Sequence, residues 1–488
     1  MNTLYNQHLT SGLFTDFYEL TMMQGYLQND HNPQVVFDYF YRRPPFNSGF
    51  AIFAGLETVL QALTHLHFSE QDLDYLKSTG RFNNDFLQYL KNYRFSGTIF
   101  AVPEGSVVFP REPLLRVHAP LAEAQLIEGL LLNVLNFQTL VATKAARIHE
   151  AAHGRPILEF GLRRAQGPNG ALMASRAAYI GGAQATSNTQ AGRLFGIPVR
   201  GTMAHSWIMA FDDEEEAFRS YANLYPTSCI FLIDTYNTLG SGIEAAITVG
   251  REISENGSGW GVRLDSGDLT YLSQEVRKRL DDQGFHQAQI VVSNELDEHI
   301  IHQLVADGAP IDAWGVGTRM VTAAGDPSLT GVFKLAAKRI GNTTEYTPVI
   351  KLSNNPGKTT DPGIKQVYRY RDADGMLLAD LIALENEKIP AYGTVRLFHP
   401  ALSYGFYDLH SYAERTPLLQ PVMQNGKICC PLPGLEDLQN HVRQELSHLH
   451  TTCKRLLNPH TYKVSFSAGL RQQKFNMATG YNQSGINP

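Results

Sequence analysis

Between about residue 150 and residue 320 the sequence alternates short apolar segments with longer helical ones, and this alternation limits the possible folds most strongly. Strands that are apolar throughout, most of them followed by a helix, indicate a parallel sheet covered by helices. Seven such units favour an α/β fold with an irregular (β/α) barrel of about seven parallel strands over an open doubly wound sheet. The predicted strands are ILEF (157–160), AQATS (183–187), GIPV (196–199), CIFLI (229–233), GWGVRL (259–264), QIVV (289–292) and AWGV (313–316).

The chain of 488 residues is too long for one ordinary domain, and its patterns predict three regions. Residues 1–125 combine a helix capped by Asp16 with β-rich segments, which predicts an N-terminal α+β sandwich-like domain completed by part of 335–425. Residues 126–334 contain the predicted barrel domain. Residues 426–488 predict a C-terminal helical extension that ends in a disordered tail, GYNQSGINP.

Composition disfavours several classes of protein. The 41 basic and 47 acidic residues give a net charge of −6 without a long run of one sign, so nucleic acid is not expected as a partner. The sequence has no apolar run of membrane-spanning length and no signal-peptide pattern, so we expect a cytoplasmic protein without a membrane contact. The four cysteines form no disulfide framework, which fits a reducing compartment.

One group of cysteines and histidines near the C-terminus contains residue types that bind zinc. The group is Cys429, Cys430, His448, His450 and Cys453. Its spacing matches no common zinc-ligand pattern, so a surface helix followed by a loop is favoured over a metal site.

Polar or charged residues follow the C-terminal end of each predicted strand. Because the carboxyl ends of parallel barrel strands meet on one face, we expect these side chains to gather there. Arginines suit phosphate or carboxylate groups, and glycine-rich turns at 181–188 and 315–318 can present N–H groups to phosphate oxygens. An anionic, phosphate-bearing substrate is therefore predicted, and the alternative is that strands simply end in polar loops. The residues are Arg163, Arg164, Asn188, Thr202, His205, Asp234, Thr235, Arg263, Asp265, Asp268, Ser293, Asn294, Gly317, Thr318 and Arg319.

His205 follows the predicted strand GIPV within the sequence GTMAHSW. It has no HxxxH partner and no neighbouring cysteine, which argues against a zinc ligand. Its place beyond a strand end leaves two alternatives, a structural histidine and a catalytic base or nucleophile. No predicted strand end supplies a Schiff-base lysine, which argues against an aldolase-like barrel.

Several long strings, in their order along the chain, resemble the nicotinate phosphoribosyltransferase family. They are TDFYELTM, EFGLRRAQGPNGALMASRAAYIGG, TSNTQAGRLFGIPVRGTMAHSW, LIDTYNTLGSG, GVRLDSGDL, SNELDE, GVGT, KQVYR and LNPHTYKVS. The resemblance covers nearly the whole chain and implies an irregular α/β barrel beside an N-terminal sandwich-like domain. It also implies transfer of phosphoribosyl from phosphoribosyl pyrophosphate to nicotinate for NAD salvage. ATP hydrolysis, Mg²⁺ and a homodimer with shared active sites are further implications.

The resemblance also implies roles for individual residues. His205 resembles the histidine that ATP phosphorylates. Thr202 and Arg263 resemble the residues that hold nicotinate, with the guanidinium matched to the carboxylate. Tyr18 in TDFYELTM resembles the tyrosine that stacks on nicotinate across the dimer interface, and its alternative is a half-buried helix aromatic.

The same motifs imply where the phosphoribosyl substrate binds. Gly317 and Thr318 in GVGT resemble its 5′-phosphate site, and Arg163 and Asp265 resemble pocket residues without an assigned partner. Asp265 or Asp268 could hold Mg²⁺ or contact the ribose, and a helix N-cap is the alternative for Asp268.

Three positions depart from the family pattern, and Ala185 would be strained if its position needed a positive φ. The three are Asn169, Ala185 and Asn237.

Two rival functions remain open at this point. A nicotinamide phosphoribosyltransferase would share the fold and the donor, but Arg263 favours nicotinate because a neutral amide would leave the guanidinium unpaired. A catalytically silent barrel that binds phosphorylated metabolites is the second rival, and His205 argues against it.

Overall fold

The computed structural model describes residues 8–227, 229–254, 259–341, 343–402 and 404–483. The chain divides into two compact units. The first unit is made of Met1–Leu140 with Ser328–Pro488, and the second is Val141–Pro327.

The division differs from the expected domain boundaries at 125/126 and 334/335. Its first boundary falls inside the helix Glu128–Ala151, where no change of composition marks it. The segment 426–488 belongs to the first unit and does not stand apart, because the strand Val464–Phe466 pairs with two strands of a sheet in that unit.

The sheet of the second unit is parallel throughout, which confirms the predicted α/β class. Its central side chains, such as Val262, Ile290 and Trp314, are fully buried, and this explains why the strands read as continuous apolar runs. The six strands pair in the order Ala185–Thr186, Ile157–Glu159, Ala313–Val316, Gln289–Val292, Trp260–Leu264 and Cys229–Leu232.

The expected seventh strand, GIPV, forms only one parallel bridge, between Val199 and Thr186. No pairing among the described residues joins it to the strand at the far edge, Cys229–Leu232. Pro198 has no backbone donor for a ladder, and the preceding helix, Thr189–Phe195, ends directly before this segment. The described sheet is therefore a parallel half-barrel, and the predicted seven-stranded barrel is not formed by these pairings.

Helices follow the strands of the second unit, and one of them, Thr189–Phe195, is a helix that the sequence pattern does not predict. Four of them begin at a side-chain cap, which satisfies an N–H group that has no partner within the helix. The capping residues are Asn188, Asp213, Asp268 and Asp297. The helices are Gly167–Ile180, Thr189–Phe195, His205–Ile208, Glu214–Leu224, Ile243–Ser254, Leu269–Asp282, Glu298–Ala306 and Thr318–Val321, with shorter turns at Leu162–Arg164 and Thr238–Gly242.

A buried ion cluster holds Glu298, at the start of one of these helices. Its carboxylate lies 2.6 Å from Lys144 Nζ and 2.9 Å from Arg147 Nε, and all three side chains are buried. The two cations lower the pKa of Glu298 although burial alone would raise it. The carboxylate is therefore charged at neutral pH and balances the two cations.

The first unit contains two large sheets that are mostly antiparallel. Strands from residues 331–348 and 420–428 complete the sheet that the N-terminal strands begin. That sheet has the order Tyr346–Pro348, Gly331–Arg339, Gln34–Tyr41, Leu115–Pro120, Thr98–Ala101, Gln420–Gln424 and Lys427–Ile428. The other has the order Phe406–Leu409, Val395–Phe398, Val464–Phe466, Leu377–Leu384, Lys365–Arg371 and Glu414–Pro417, and Ala51–Ile52 pairs separately with Val107–Val108.

The helices of the first unit include the predicted one that Asp16 caps. The predicted disordered tail is wrong in part, because the last helix extends to Gln483, and 484–488 lie outside the described residues. Within the described ranges no helix combines the length and apolar character that crossing a membrane requires. The helices are Phe17–Gln28, Leu56–His65, Glu70–Ser78, Asn84–Lys91, Leu121–Leu126, Leu435–His448 and Ala468–Gln483, and Glu128–Ala151 crosses the unit boundary.

Candidate functional site

A cavity of about 510 Å³ opens at the carboxyl ends of the parallel strands, and we call it the strand-end cavity. Its volume is that of a small-molecule site. The predicted residues Arg163, Thr202, His205, Arg263, Asp265, Gly317 and Thr318 all line it, and Tyr18 of the first unit does not. The remaining lining residues are Phe160, Leu162, Arg164, Ser187, Gly201, Met203, Ala204, Ser293, Asn294, Glu295 and Gly315.

Arg263 is the most constrained cation of the strand-end cavity. It lies near the end of the strand Trp260–Leu264, and its side chain is only 14% exposed. Nη1 donates to Thr202 Oγ1 at 2.6 Å and to the Met203 carbonyl at 3.2 Å, while Nε donates to Ser293 Oγ at 2.9 Å. Nη2 lies 3.3 Å from Asp265 Oδ1. The guanidinium is therefore fixed in position before any ligand binds.

His205 begins the short helix His205–Ile208 at the rim of the same cavity. Nδ1 lies 3.1 Å from the Thr235 hydroxyl, and Nε2 lies 3.8 Å from Asp265 Oδ2. The side chain is 40% exposed, which rules out the alternative of a buried structural histidine. Trp207 Nε1 donates to the Ala217 carbonyl at 3.0 Å and so anchors this helix to the next one.

Asp265 has a carboxylate neighbour, Asp234. Asp234 Oδ2 accepts hydrogen bonds from the Asp265 backbone N–H at 3.0 Å and from the Ser266 hydroxyl at 2.6 Å. Asp234 Oδ1 is buried and has no hydrogen-bond partner. Mg²⁺ is often held by one or two carboxylates together with water and substrate phosphates, so this pair fits the ion.

Asp268 has a different role from the pair. Its Oδ1 accepts a hydrogen bond from the Tyr271 N–H at 3.0 Å, and this confirms the alternative of a helix N-cap.

Over the part of the chain that the structure describes, no group of three or more His, Cys, Asp or Glu side chains could hold a metal ion. That result includes the C-terminal cysteines and histidines, of which Cys453 is buried and Cys429 is exposed.

The turn at Gly317 and Thr318 approaches the neighbouring strand end closely. A Cβ atom at Gly317 would lie 2.9 Å from the Phe160 carbonyl oxygen, so only glycine fits without a shift. The Thr318 hydroxyl donates to Glu295 Oε1 at 3.0 Å, and Arg319 Nε lies 3.5 Å from Glu295 Oε2. Arg319, which was expected on this face, does not line the cavity itself, although its guanidinium lies beside Glu295, which does.

The sequence analysis does not identify two residues that belong to this region, Glu159, which supports the strand ends, and Glu295, which lines the cavity. Glu159 is buried and accepts hydrogen bonds from the Gly161 N–H and from the hydroxyls of Ser175 and Thr186, which fixes two adjacent strand ends. Its signal was a carboxylate inside the apolar segment ILEF. Glu295, in SNELDE, follows the strand Gln289–Val292, and its place beyond a strand end was the available signal.

Tyr18 and Glu19 lie on the first helix of the first unit. Tyr18 is 47% exposed, and burial together with the charges of Glu128, Glu19 and Asp16 raises its pKa to about 12. The phenol is therefore neutral near pH 7, and its role in stacking stays a prediction. Burial raises the pKa of Glu19 to about 8, although it accepts N–H groups from Asp16 and Gly129.

The three departures from the family pattern do not disrupt this cavity. Ala185 lies in a strand and has no positive φ, so the expected strain does not arise. Asn169 lies within the helix Gly167–Ile180, Asn237 is exposed, and neither residue lines the cavity.

Comparison with known proteins gives concordant results along the chain. Family descriptions match for the nicotinate phosphoribosyltransferase N-terminal domain over 13–136, the family itself over 156–377 and its C-terminal domain over 364–474. The chain is 43% identical to the nicotinate phosphoribosyltransferase of Bacillus subtilis, with 93% of this chain and 92% of that protein covered. The human enzyme of the same name is 34% identical, with 94% and 95% covered.

Solved structures resemble this one as well. The crystal structure of human nicotinic acid phosphoribosyltransferase superposes with a TM-score of 0.83 at 31% identity, covering 95% of this chain and 99% of that one. A nicotinate-nucleotide pyrophosphorylase from Pyrococcus furiosus gives a TM-score of 0.68 at 23% identity, covering 90% and 95%, which indicates a shared fold.

Proposed function

Because the chain belongs to the nicotinate phosphoribosyltransferase family, we propose that it converts nicotinate and phosphoribosyl pyrophosphate into nicotinate mononucleotide for NAD salvage. One observation carries this proposal. His205, Arg263 and Thr318, which are far apart in sequence, line one cavity of about 510 Å³. The alternative of polar loops without a shared site does not account for that convergence.

In the proposed reaction Arg263 and Thr202 hold the nicotinate carboxylate. The guanidinium is preorganised by its contacts with Thr202 and Ser293, so little entropy is lost when a carboxylate binds. The pyridine nitrogen attacks C1 of the sugar, the bond from C1 to the pyrophosphate oxygen breaks, and pyrophosphate leaves. No strong base is needed because the ring nitrogen already carries a free electron pair.

The 5′-phosphate of the donor is proposed to bind at the Gly317–Thr318 turn, with Arg163 as a further cation. Thr318 now donates its hydroxyl to Glu295, a carboxylate that would repel a phosphate. Glu295 therefore has to turn away when the donor binds. Its exposed position allows this movement.

ATP coupling is proposed to act through His205. The terminal phosphoryl group moves from ATP to an imidazole nitrogen, with loss of ADP, and water later cleaves the P–N bond to release phosphate. The side chain is 40% exposed, and small neighbours such as Gly201 and Ala204 leave room for the phosphoryl group. The contact with Thr235 orients the ring.

Two further parts of the proposal concern Mg²⁺ and assembly. Asp234 and Asp265 would hold Mg²⁺, which when bound neutralises phosphate charge in the substrates. We also propose a homodimer with shared active sites, in which Tyr18 stacks on nicotinate across the interface.

Turnover on the two pyridines tests the substrate assignment. The purified full-length protein is given phosphoribosyl pyrophosphate with nicotinate or nicotinamide, in the presence and absence of ATP. We expect nicotinate mononucleotide to form, at a rate that ATP increases, and nicotinamide to react far more slowly. Preference for nicotinamide would refute the substrate assignment, and no turnover of either would favour the silent barrel.

Labelling with γ-³²P-ATP tests the phosphohistidine separately. Wild-type protein should acquire acid-labile label, and His205→Ala should acquire none. Equal label on the variant, or none on the wild type, removes the phosphohistidine while leaving the transferase activity to be judged by turnover.

A further inference from the structure

A second cavity of about 560 Å³ lies in the second unit and shares no lining residue with the strand-end cavity. We call it the acidic cavity. None of its lining side chains is cationic, and all of their polar atoms are oxygens. It is lined by Asp212, Asp213, Glu214, Glu215, Tyr236, Ser241, Glu244, Ala245 and Thr248.

Four of its five carboxylates have ordinary explanations. Asp213 caps the helix Glu214–Leu224 by accepting the Glu216 N–H at 2.8 Å. Glu215 pairs with Arg219 at 2.5 Å. Asp212 and Glu244 are exposed to solvent, and acidic residues are generally favourable in the first turn of a helix. These four residues alone do not indicate a site.

Glu214 is different because it is buried without compensation. Glu214 lines the acidic cavity, yet only 4% of its surface is exposed to solvent. Neither of its carboxylate oxygens makes a hydrogen bond. The Ser241 hydroxyl is near enough to lower the pKa of Glu214, but it does not reach hydrogen-bond geometry, and burial raises that pKa overall. A buried carboxylate without a partner is strongly unfavourable, and a cation in the cavity would remove that penalty.

We propose that the acidic cavity binds a hydrated divalent metal ion, with Glu214 as its principal carboxylate ligand. Oxygen donors without nitrogen or sulfur select hard cations such as Mg²⁺. Within the described ranges no three acidic side chains are close enough to form a complete cage, so the ion keeps most of its waters. The cavity has room for them, since six waters occupy roughly 180 Å³ at about 30 Å³ each.

The position of this cavity gives the ion a structural consequence near His205. Its walls come from the segment after the helix His205–Ile208 and from the loop after Thr235, the residue that contacts the His205 ring. A bound ion would brace these two segments against each other. The site itself does not depend on the activity proposed above.

Manganese titration followed by electron paramagnetic resonance tests the site in the substrate-free, full-length protein. Mn²⁺ stands in for Mg²⁺. We compare the wild type with Glu214→Gln and with Glu216→Gln, a matched control in the same helical turn whose exposed side chain does not line the cavity. The wild type and Glu216→Gln should each bind one Mn²⁺ more than Glu214→Gln, and excess Mg²⁺ should displace that ion.

Equal numbers of bound ions and equal affinities for the wild type and Glu214→Gln would overturn the proposal. Glutamine matches glutamate in size and burial already favours the neutral carboxyl, so the variant should fold, which circular dichroism checks. If Glu214→Gln does not fold, Glu244→Gln, on the exposed wall of the acidic cavity, is used as a second test. The substitution removes one negative charge that acts on the ion through water, so the affinity for Mn²⁺ should fall about three- to tenfold. An unchanged affinity would equally refute the site.

Discussion

Replacing Arg263 with lysine tests most directly how the strand-end cavity recognises its substrate. The guanidinium uses Nε, Nη1 and Nη2 in three directions, toward Ser293, Thr202 and Asp265. Lysine keeps the charge, but a single ammonium cannot hold these three partners and also donate to a substrate carboxylate. Loss of two charge-assisted hydrogen bonds at about 1.5 kcal/mol each removes about 3 kcal/mol, or roughly 100-fold in kcat/KM for nicotinate.

Steady-state kinetics with nicotinate varied at saturating phosphoribosyl pyrophosphate measures this effect. We expect the loss to lie mainly in the KM for nicotinate, because the lost contacts are made in the bound ground state as well. Arg251→Lys is the matched control, since Arg251 is exposed and its Nη2 donates to Gln283 Oε1 outside the strand-end cavity. If kcat/KM of Arg263→Lys for nicotinate lies within threefold of the wild-type value, the pairing of Arg263 with the nicotinate carboxylate is refuted. A change confined to the KM of the phosphoribosyl donor would instead assign Arg263 to that substrate.

Two stability predictions follow from buried carboxylates. Glu298→Gln should lower the free energy of unfolding by about 3–5 kcal/mol, because two buried cations would face a neutral amide; urea denaturation measures this, and a loss below about 1 kcal/mol would contradict it. Glu19 ionises near pH 4.5 in the unfolded chain but only near pH 8 when folded, so wild-type stability should fall between these values as pH rises. The slope approaches about 1.4 kcal/mol per pH unit, and Glu19→Gln should flatten it when urea midpoints are compared from pH 5 to pH 8; equal slopes for the two proteins would refute the assignment.

The strand-end cavity was predictable because two periodic signals coincide in the sequence. Apolar runs marked the buried strands, and the polar residues after them had to meet on one side of a parallel sheet. His205, Arg263 and Thr318 are among these polar residues, and the structure brings all three to one cavity. The capping residue Asp16 was readable for a similar reason, since its contacts span only a few residues.

Other features depend on contacts between distant residues and leave little trace in the sequence. Glu159 looks like an interruption of an apolar strand until Ser175 and Thr186 surround it with donors. The segment GIPV has the composition of a strand, but Pro198 and the short distance from the preceding helix reduce it to one bridge. Burial without a partner, as at Glu214, cannot be read from sequence because it depends on how two helices pack.

The side chains of the strand-end cavity differ in how firmly they are held, and this difference matches the two substrates proposed for it. Arg263 and Ser293, at strand ends, contact each other and are largely buried, so they form a fixed surface suited to a small, flat molecule with one carboxylate. Arg163 and Glu295 lie on exposed segments and can move. Mobile charged groups suit a flexible donor with several phosphates, because they can close on it after it enters. A rigid sheet that ends in movable loops can thus hold the acceptor in place while the larger donor binds and its product leaves.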